Sequence, residues 1–323
     1  MSYSTLTPDL ILDSLEHAGL RGNGRLLALN SYENRVYQVG MEEGPPLVAK
    51  FYRKARWSND AILEEHAFVK SLFDAEIPVV PPLELAGKTL HEYGGFRFAV
   101  FERKGGRAPE LEDLNALEWM GRFLGRIHAI GRTESYRFRP SIDIESFGIE
   151  PRDYLLSGNH IPAELLESYE GTVNLALEGA KRAFDRAGEY RSIRLHGDCH
   201  AGNILWTEAG PHFVDFDDSR MGPAIQDLWL LLSGERADMT RQLTSLLSGY
   251  EDFCDFDEKE LYLVEALRTL RLIHYSAWLA RRWEDPAFPL AFPWFGTARY
   301  WQDRILELKE QIALMEEMPL LHS

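Results

Sequence analysis

The spacing of hydrophobic and polar positions divides the chain into a strand-rich first third and a helical remainder. Short apolar runs separated by turn residues predict strands in the first hundred residues, and a 3.6-residue spacing at residues 60–73 predicts a helix. Prolines at residues 78–82 then force an extended chain. The predicted strands are residues 26–29, 35–39, 47–52 and 96–101. This order predicts an antiparallel α+β lobe.

Beyond residue 110 the hydrophobic pattern becomes helical. Apolar residues recur three and four positions apart, which predicts a mainly helical second lobe. The predicted helices are residues 112–130, 162–186, 224–233, 258–282 and 297–315. Residues 102–109 carry two glycines and mixed charge, as expected of a connection between lobes. We therefore predict an N-terminal lobe over residues 1–103 and a C-terminal lobe over residues 104–323.

Composition narrows the class of protein. With 323 residues and 45% apolar content, the chain can bury two cores, and its net charge of −16 argues against a nucleic-acid binder. Cys199 and Cys254 are the only cysteines, so a disulfide framework is excluded and a reducing compartment is expected. No apolar run approaches the roughly 18 residues of a membrane span. We expect a cytoplasmic monomer that binds neither nucleic acid nor membranes.

Residues suited to chemistry concentrate in residues 195–218, which read LHGDCHAGNILWTEAGPHFVDFDD. Asp198 and Asn203 are spaced D-x-x-x-x-N, and two short apolar runs joined by a tight turn lead to Asp215. One carboxylate suits a catalytic base, and an amide with a second carboxylate suits the oxygen ligands of a hard cation. Phosphoryl transfer needs this set, because it depends mostly on positioning and charge neutralisation. We predict Asp198 as the base and Asn203 and Asp215 as metal ligands.

Two features of the first lobe fit the same chemistry. Lys50 ends an apolar strand, from which a lysine can reach nucleotide phosphates when a helix carboxylate holds it. Glu65 is a better partner than Glu64, since it lies on the inward face of its helix. Ser31 lies in the turn NSYEN, where its hydroxyl and the backbone N–H groups can cap a phosphate without a glycine-rich loop. We therefore predict Ser31, Lys50 and Glu65 as nucleotide-binding residues.

Other polar residues have simpler interpretations. The histidines and cysteine of HGDCH do not match zinc-site spacing, so His196 is expected to brace its loop and Cys199 to fill space. Asp217 and Asp218 are expected to be solvated or to cap a turn. Residues 283–295, WEDPAFPLAFPWF, fit either the wall of a substrate pocket or an apolar loop packed on the helices.

The motifs HGDCHAGNIL and VDFDD resemble the Brenner-type motif of the aminoglycoside phosphotransferase and choline kinase family. The blocks LNSYENRVYQV, VAKFYR, ILEEH, RLHGDCHAGNILW, GPAIQDLW and RRWEDPAFP together resemble the bacterial stress-response kinase A family, whose members phosphorylate protein serine and threonine. The resemblance covers nearly the whole chain. It implies a two-lobed, protein-kinase-like α+β fold with an antiparallel-sheet N-lobe and a mainly helical C-lobe.

The resemblance also implies roles for residues at matching positions. These are the proton acceptor Asp198, the magnesium ligands Asn203 and Asp215, and the ATP contacts Ser31 and Lys50. Asp215 also counts among the catalytic residues, and Asp227 in QDL is expected to brace the catalytic loop. Gly197 replaces the arginine of typical eukaryotic protein kinases, and DFD replaces D-F-G, so control by activation-loop phosphorylation is not expected.

These residues predict an ATP- and Mg²⁺-dependent protein serine/threonine kinase that transfers the γ-phosphoryl group to protein hydroxyls, in a bacterial stress response. One alternative is a kinase for an amino sugar, amino alcohol or related metabolite, because both kinds of acceptor present a hydroxyl to the same base. A nucleotide-binding regulator without catalysis is a third. It would need one degraded position among Lys50, Asp198, Asn203 and Asp215, and all four are present.

Overall fold

The computed structural model describes residues 3–29 and 31–320, and it divides the chain into two compact units. Unit 1 comprises the residues up to Pro109 together with Tyr136–Arg139 and His200–Ser219. Unit 2 comprises Glu110–Ser135, Pro140–Cys199 and the residues from Arg220 onward. Along the sequence, the chain therefore first passes from unit 1 to unit 2 after Pro109, whereas the predicted boundary follows residue 103. Two later segments, one carrying Asn203 and Asp215, belong with the first unit.

Unit 1 is built on a five-stranded antiparallel sheet of order β1-β2-β3-β5-β4. Its strands are β1 (Gly22–Leu29), β2 (Arg35–Met41), β3 (Leu47–Phe51), β4 (His91–Tyr93) and β5 (Phe96–Glu102). Helices α1 (Pro8–His17) and α2 (Asn59–Asp74) begin behind the N-caps Thr7 and Ser58. Helix α1 packs on the sheet in an apolar core that includes Ile11 and Phe98. The predicted antiparallel lobe is confirmed; the short strand β4 was not predicted.

A hairpin in the same unit carries the predicted metal ligands. Its strands are Ile204–Thr207 and Gly210–Phe213, with Ile204 opposite Phe213. The N–H of Phe213 donates to the carbonyl of Pro78 at 2.8 Å. Arg107 and Trp206 exchange two backbone hydrogen bonds, of 3.1 and 2.7 Å. The predicted hairpin is therefore present and is tied to two separate stretches of unit 1.

Unit 2 is mainly helical, as predicted. Its helices are α3 (Leu114–Gly131), α4 (Glu150–Ser157), α5 (Ala163–Ala187), α6 (Ile225–Trp229), α7 (Arg236–Tyr250), α8 (Val264–Arg281), α9 (Ala287–Ala291) and α10 (Ala298–Leu314). Shorter elements are the π-helix Glu145–Ile149, the 3-10 helix Glu258–Leu263 and the paired strands Ile193–Arg194 and Met221–Gly222. Three predicted helices match within about two residues. The predicted helix 224–233 ends early, at Trp229, and the predicted helix 258–282 begins with the 3-10 helix and continues as α8. Helices α4, α7 and α9 were not predicted.

Helices α3 and α7 approach each other backbone to backbone. A Cβ added at Gly121 would overlap the carbonyl oxygen of Leu246, and one added at Gly249 would overlap the carbonyl oxygen of Glu118. Only glycine permits this separation, because any larger residue would force the two helices apart. The close packing brings His128 of α3 to 3.0 Å from the hydroxyl of Tyr250.

Residues 283–295 pack against α8, as expected of an apolar loop packed on the helices; their role as the wall of a substrate pocket stays a prediction. Phe288 is fully buried, and its ring centroid lies 5.0 Å from that of Trp278 on α8. Phe292 contacts the same indole ring at 5.9 Å. The segment is therefore an apolar support for one face of α8. No helix within residues 3–29 and 31–320 is long and apolar enough to cross a bilayer.

Candidate active site

A cleft of about 380 Å³ opens in unit 1, within the size range of small-molecule sites. Its apolar walls are formed by Leu29, Val36, Val48, Val80, Phe101 and Leu205. The same cleft is lined by every predicted site residue that belongs to unit 1, namely Ser31, Lys50, Glu65, Asn203 and Asp215. Residues far apart in sequence thus share one cavity with an apolar wall and a polar wall.

Lys50 supplies the positive charge of the cleft. It lies on β3, is 7% exposed, and its Nζ is 2.8 Å from Asp215 Oδ1 and 3.3 Å from Asp217 Oδ1. Burial alone would lower the pKa of Lys50, but the two carboxylates raise that pKa well above its ordinary value. The ammonium group therefore stays charged and points at the carboxylates of the hairpin end.

Glu65 contacts a different cation from the one predicted. Its Oε2 lies 3.2 Å from Nη2 of Arg139, and both side chains are buried. Arg139 also donates to the carbonyl oxygens of Ala61 at 2.7 Å and Ser219 at 2.8 Å, a set of contacts that needs a guanidinium fork rather than an ammonium. Glu65 therefore forms its ion pair with Arg139 and not, as the sequence had predicted, with Lys50. Lys50 and Glu65 nevertheless line the same cleft.

The electrostatics of Glu65 reflect this surrounding. Burial raises the pKa of the Glu65 carboxyl to about 7, although Lys50 and Arg139 both act to lower it.

Glu64, the other candidate partner of Lys50, points elsewhere. Its two carboxylate oxygens accept hydrogen bonds from the backbone N–H groups of Arg137 and Phe138, at 2.7 and 3.0 Å. Glu64 therefore anchors the segment that carries Arg139.

Asp217 is neither solvated nor a cap, so that expectation was wrong. It is 3% exposed and forms ion pairs with Lys50 and Arg56, while Arg56 also contacts Asp218. Burial alone would raise the pKa of Asp217, but Arg56 and Lys50 lower it below its ordinary value. Asp217 therefore stays ionised as a fixed negative charge behind Lys50. Neither Arg56 nor Arg139 was found from the sequence.

Asn203 and Asp215 are held side by side by the hairpin. Val214, next to Asp215, donates its N–H to the carbonyl of Asn203 at 3.0 Å. Asp215 has left-handed backbone dihedrals, φ 61° and ψ 64°, which aspartate tolerates better than most residues. Its side chain is 50% exposed, so the carboxylate stays open to the cleft while Oδ1 contacts Lys50. An amide and an accessible carboxylate fit a divalent cation that prefers oxygen ligands.

The turn after β1 is fixed by Arg53. Asn34, which is buried, accepts a hydrogen bond from the Arg53 N–H at 3.0 Å. The Arg53 guanidinium donates to the Glu33 carbonyl at 2.9 Å and pairs with its carboxylate at 3.2 Å. These contacts position the turn in which Ser31 lines the cleft. Asn30 of the predicted turn lies outside the described residues.

In unit 2, the loop that carries Asp198 is held by Asp227. The Asp227 carboxylate accepts hydrogen bonds from the backbone N–H groups of His196 at 2.7 Å and Gly197 at 2.8 Å. Gly197 has φ +88°, a conformation that side chains disfavour, which is a physical reason for glycine in this loop. His196 accepts from the Asp198 N–H at 3.3 Å. The bracing roles expected of Asp227 and His196 are confirmed.

A second layer supports Asp227. His128 Nε2 lies 3.0 Å from Asp227 Oδ2, and His128 Nδ1 lies 3.0 Å from the hydroxyl of Tyr250. Asp227 and His128 are completely buried. Because α3 and α7 supply His128 and Tyr250, the packing of two helices determines the conformation of the Asp198 loop. His128 lies on the apolar face of α3, and nothing in the sequence indicated that it would support Asp227.

The side chain of Asp198 faces a cation. Arg271 of α8 places Nη1 2.7 Å from Asp198 Oδ1, and the two side chains are 39% and 23% exposed respectively. The pair therefore lies near the surface of unit 2. Nothing in the spacing of the chain indicated that an arginine of α8 would reach the predicted base.

The profile of the phosphotransferase enzyme family matches residues 25–264. Among solved structures, an amicoumacin kinase in complex with AMP-PNP, Ca²⁺ and amicoumacin superposes with a TM-score of 0.72 at 19% identity, covering 97% of this chain and 94% of that chain. A microcompartment-associated aminopropanol kinase gives a TM-score of 0.72 at 17% identity, covering 96% and 97%. These likenesses establish a two-lobed, kinase-like fold.

Two curated relatives are similar over almost their whole length. Stress response kinase A of Escherichia coli (strain K12) is 45% identical over 319 residues, covering 99% of this chain and 96% of the relative. The serine/threonine protein kinase RdoA of Salmonella typhimurium (strain LT2) is 43% identical with the same coverage. The chain therefore belongs to the phosphotransferase enzyme family and, within it, to the stress response kinase A family. It is a kinase with a hydroxyl acceptor.

Proposed function

We propose that this kinase uses ATP and Mg²⁺ to phosphorylate serine and threonine hydroxyls of proteins. The observation that carries the proposal is the cleft of unit 1, in which a buried, charged lysine lies against the accessible carboxylate of Asp215. A nucleoside triphosphate needs an apolar wall for its base and a cation for its phosphates, and the cleft supplies both.

Each nucleotide-contacting residue has a chemical task in this proposal. The apolar wall takes the adenine ring, Lys50 binds phosphate oxygens, and Ser31 caps a phosphate from its turn. Asn203 and Asp215 would hold Mg²⁺, since both offer oxygen atoms to the cleft. When bound, the cation offsets negative charge on the phosphate oxygens. Glu65 and Arg139 support α2 and the hairpin end, behind the charges that contact the nucleotide.

The transfer step is a displacement at phosphorus. The acceptor hydroxyl oxygen forms a bond to the γ-phosphorus, and the bond from that phosphorus to the oxygen bridging to the β-phosphate breaks. ADP leaves with the bridging oxygen, and the hydroxyl proton passes to the carboxylate of Asp198. An unshifted carboxylate suffices for this task, because the transition state is loose and the proton leaves late.

The acceptor class rests on the relatives. A protein named as a serine/threonine protein kinase is 43% identical over 99% of this chain, and others named stress response kinase A are 43–46% identical. These names support a protein acceptor and a role in a stress response. The two solved neighbours named for small acceptors are only 17–19% identical, so they bear on the fold.

One experiment separates the candidate functions. The purified chain is incubated with γ-labelled ATP and Mg²⁺, together with a mixed protein acceptor, an amino alcohol and an aminoglycoside, with a chelator arm as control. We expect label on serine and threonine of protein, lost on chelation. Label confined to a small acceptor would instead support the metabolite kinase, and ATP binding without any transfer would support a non-catalytic regulator.

A further inference from the structure

The role of Asp198 as a base does not by itself require an arginine such as Arg271 beside it. A carboxylate is already ionised at neutral pH, so Asp198 needs no cation to become a base. A guanidinium 2.7 Å away instead pairs with the carboxylate that is to accept the proton of the acceptor hydroxyl. Because the Arg271 side chain is 39% exposed, its guanidinium can contact a molecule outside the chain as well as Asp198.

Further cationic and aromatic side chains continue from Arg271 along α8. His274, Tyr275 and Trp278 follow three, four and seven residues after Arg271 and are partly exposed, and Arg282 lies beyond them. At 1.5 Å per residue, the distance along the axis from Arg271 to Arg282 is about 16 Å. Tyr275 stacks on Trp278 at 5.7 Å, and the Arg282 guanidinium lies 5.3 Å from the Trp278 ring.

Neighbouring elements of unit 2 extend the same character. The ring of His274 stacks on Phe147 at 4.1 Å, and the guanidinium of Arg220 lies 4.9 Å from that Phe147 ring. Arg281 lies 4.9 Å from the ring of Tyr154. Arginines held on aromatic rings keep their charge, because the ring quadrupole does not neutralise it. Phe147 and Arg220 are each only 8% exposed, so the cationic, aromatic surface that begins at the predicted base is formed by Arg271, His274, Tyr275, Trp278, Arg281 and Arg282.

This surface discriminates between classes of acceptor by charge. An amino alcohol or amino sugar whose hydroxyl reaches Asp198 would bring its ammonium group close to the Arg271 guanidinium, and like charges in contact oppose binding. A serine or threonine is neutral, and carboxylates beside it in the polypeptide would be attracted to the arginines of α8. The length of the surface suits an extended segment of several residues, at about 3.3 Å per residue.

We propose that Arg271 is a specificity-determining residue that selects an extended, acidic polypeptide segment as the acceptor and rejects cationic small molecules. The proposal rests on the proposed function, since it takes Asp198 as the base. It goes further in naming the class of protein segment that is phosphorylated and the residue that selects it.

The test uses the full-length protein and three variants: Arg271→Gln, Arg271→Lys and Arg299→Gln. Arg299 is a matched control, because it is also a helical arginine paired with an aspartate, Asp303, at 2.8 Å. The acceptors are two peptides of equal length with one serine, flanked by aspartates or by lysines, and aminopropanol. Peptide binding is measured by fluorescence anisotropy without ATP, and kcat and KM are measured for transfer.

We expect the wild type to bind the aspartate-flanked peptide at least tenfold more tightly than the lysine-flanked one. Arg271→Gln should lose that preference through KM, Arg271→Lys should restore most of it, and Arg299→Gln should behave as wild type. Equal binding of the two peptides by the wild type would overturn the proposal. An Arg271→Gln defect confined to kcat and equal for all acceptors would also overturn it, because that result is expected of a residue that only positions Asp198.

The two proposals fail in different ways. If the wild type binds the acidic peptide in an Arg271-dependent manner but transfers no phosphate to any protein, the selection stands and the protein-kinase function falls. If it phosphorylates protein serine but prefers the lysine-flanked peptide, the kinase function stands and the role of Arg271 falls. Preference for aminopropanol over both peptides would overturn both.

Discussion

Asp227 Oδ1 accepts a hydrogen bond of 2.8 Å from the backbone N–H of Gly197, the residue directly before Asp198. The other oxygen of the same buried carboxylate accepts from the N–H of His196 at 2.7 Å. These two hydrogen bonds hold the backbone of the loop that follows the strand Ile193–Arg194. The backbone that leads to Asp198 is therefore held by a residue of the same unit.

Replacing Asp227 by asparagine should impair both stability and turnover. The amide has one acceptor oxygen, so one loop N–H faces an NH₂ group and loses its partner in the core. We expect Asp227→Asn to lower the free energy of unfolding by about 2–4 kcal/mol and kcat at least tenfold. Urea unfolding and steady-state kinetics test this, with the exposed Asp185→Asn as the matched control. Wild-type kcat in a folded Asp227→Asn protein would contradict the positioning role.

Local sequence patterns could predict the strands, most helices and the residues that line the cleft of unit 1, because spacing and turn chemistry carry that information. Contacts that depend on tertiary folding could not be predicted. Arg139 reaches Glu65 from a short segment whose own sequence has no periodicity, and Arg271 reaches Asp198 from a helix far along the chain. The nucleotide and metal roles of Ser31, Lys50, Glu65, Asn203 and Asp215, and the catalytic role of Asp198, stay predictions.

Helix α7 shows why a helix can be missed when the prediction uses hydrophobic spacing alone. Its sequence, RADMTRQLTSLLSGY, is rich in polar and small residues and weakly amphipathic, so it does not stand out. Burial of Leu243, Leu246 and Leu247 and a close backbone contact with α3 stabilise it, and that contact needs glycine at Gly121 and Gly249. A propensity argument counts such glycines against a helix, whereas tertiary packing requires them.

Gly121→Ala should therefore be strongly destabilising. The added methyl group meets the backbone carbonyl of Leu246, which cannot rotate away, so the helices must separate. We expect a loss of about 2–4 kcal/mol in the free energy of unfolding. Gly171→Ala is the control, since this glycine lies within α5 with nothing near its Cβ position, and should gain up to about 1 kcal/mol. Similar unfolding curves for both variants would contradict this packing.

Removing Lys50 should weaken nucleotide binding. Without the ammonium group, Asp215 and Asp217 present unscreened negative charge to incoming phosphates. We expect Lys50→Ala to weaken the affinity for a non-hydrolysable ATP analogue with Mg²⁺ at least tenfold, measured by titration calorimetry. The exposed Lys54→Ala should bind as wild type. Unchanged affinity in Lys50→Ala would remove this lysine from the proposed nucleotide site.

Glu260 should make stability depend on pH. Its Oε2 accepts the Ile225 N–H at 2.8 Å, and burial raises the pKa of its carboxyl to about 7 from an ordinary 4.5. The native state therefore holds the proton more tightly than the unfolded state. The stabilisation by this group is complete below pH 4.5 and is lost as the pH rises through 7.

The glutamine of Glu260→Gln cannot ionise and keeps an acceptor oxygen. It should therefore contribute no pH dependence to the free energy of unfolding. Relative to wild type, its free energy of unfolding should rise by up to about 3 kcal/mol between pH 4.5 and pH 8. Urea unfolding of both proteins at several pH values provides the comparison. Curves that run parallel across this range would show that Glu260 is not protonated in the native state.

The most direct test of the proposed mechanism is phosphate transfer by Asp198→Asn. Asparagine keeps the size of the side chain but cannot accept the proton of the acceptor hydroxyl. We predict that transfer of label from γ-labelled ATP to protein falls by about 10²-fold or more, while affinity for the ATP analogue stays within twofold of wild type. Asp185→Asn should transfer as wild type. Undiminished transfer by Asp198→Asn would contradict the assignment of the base and, with it, the central claim.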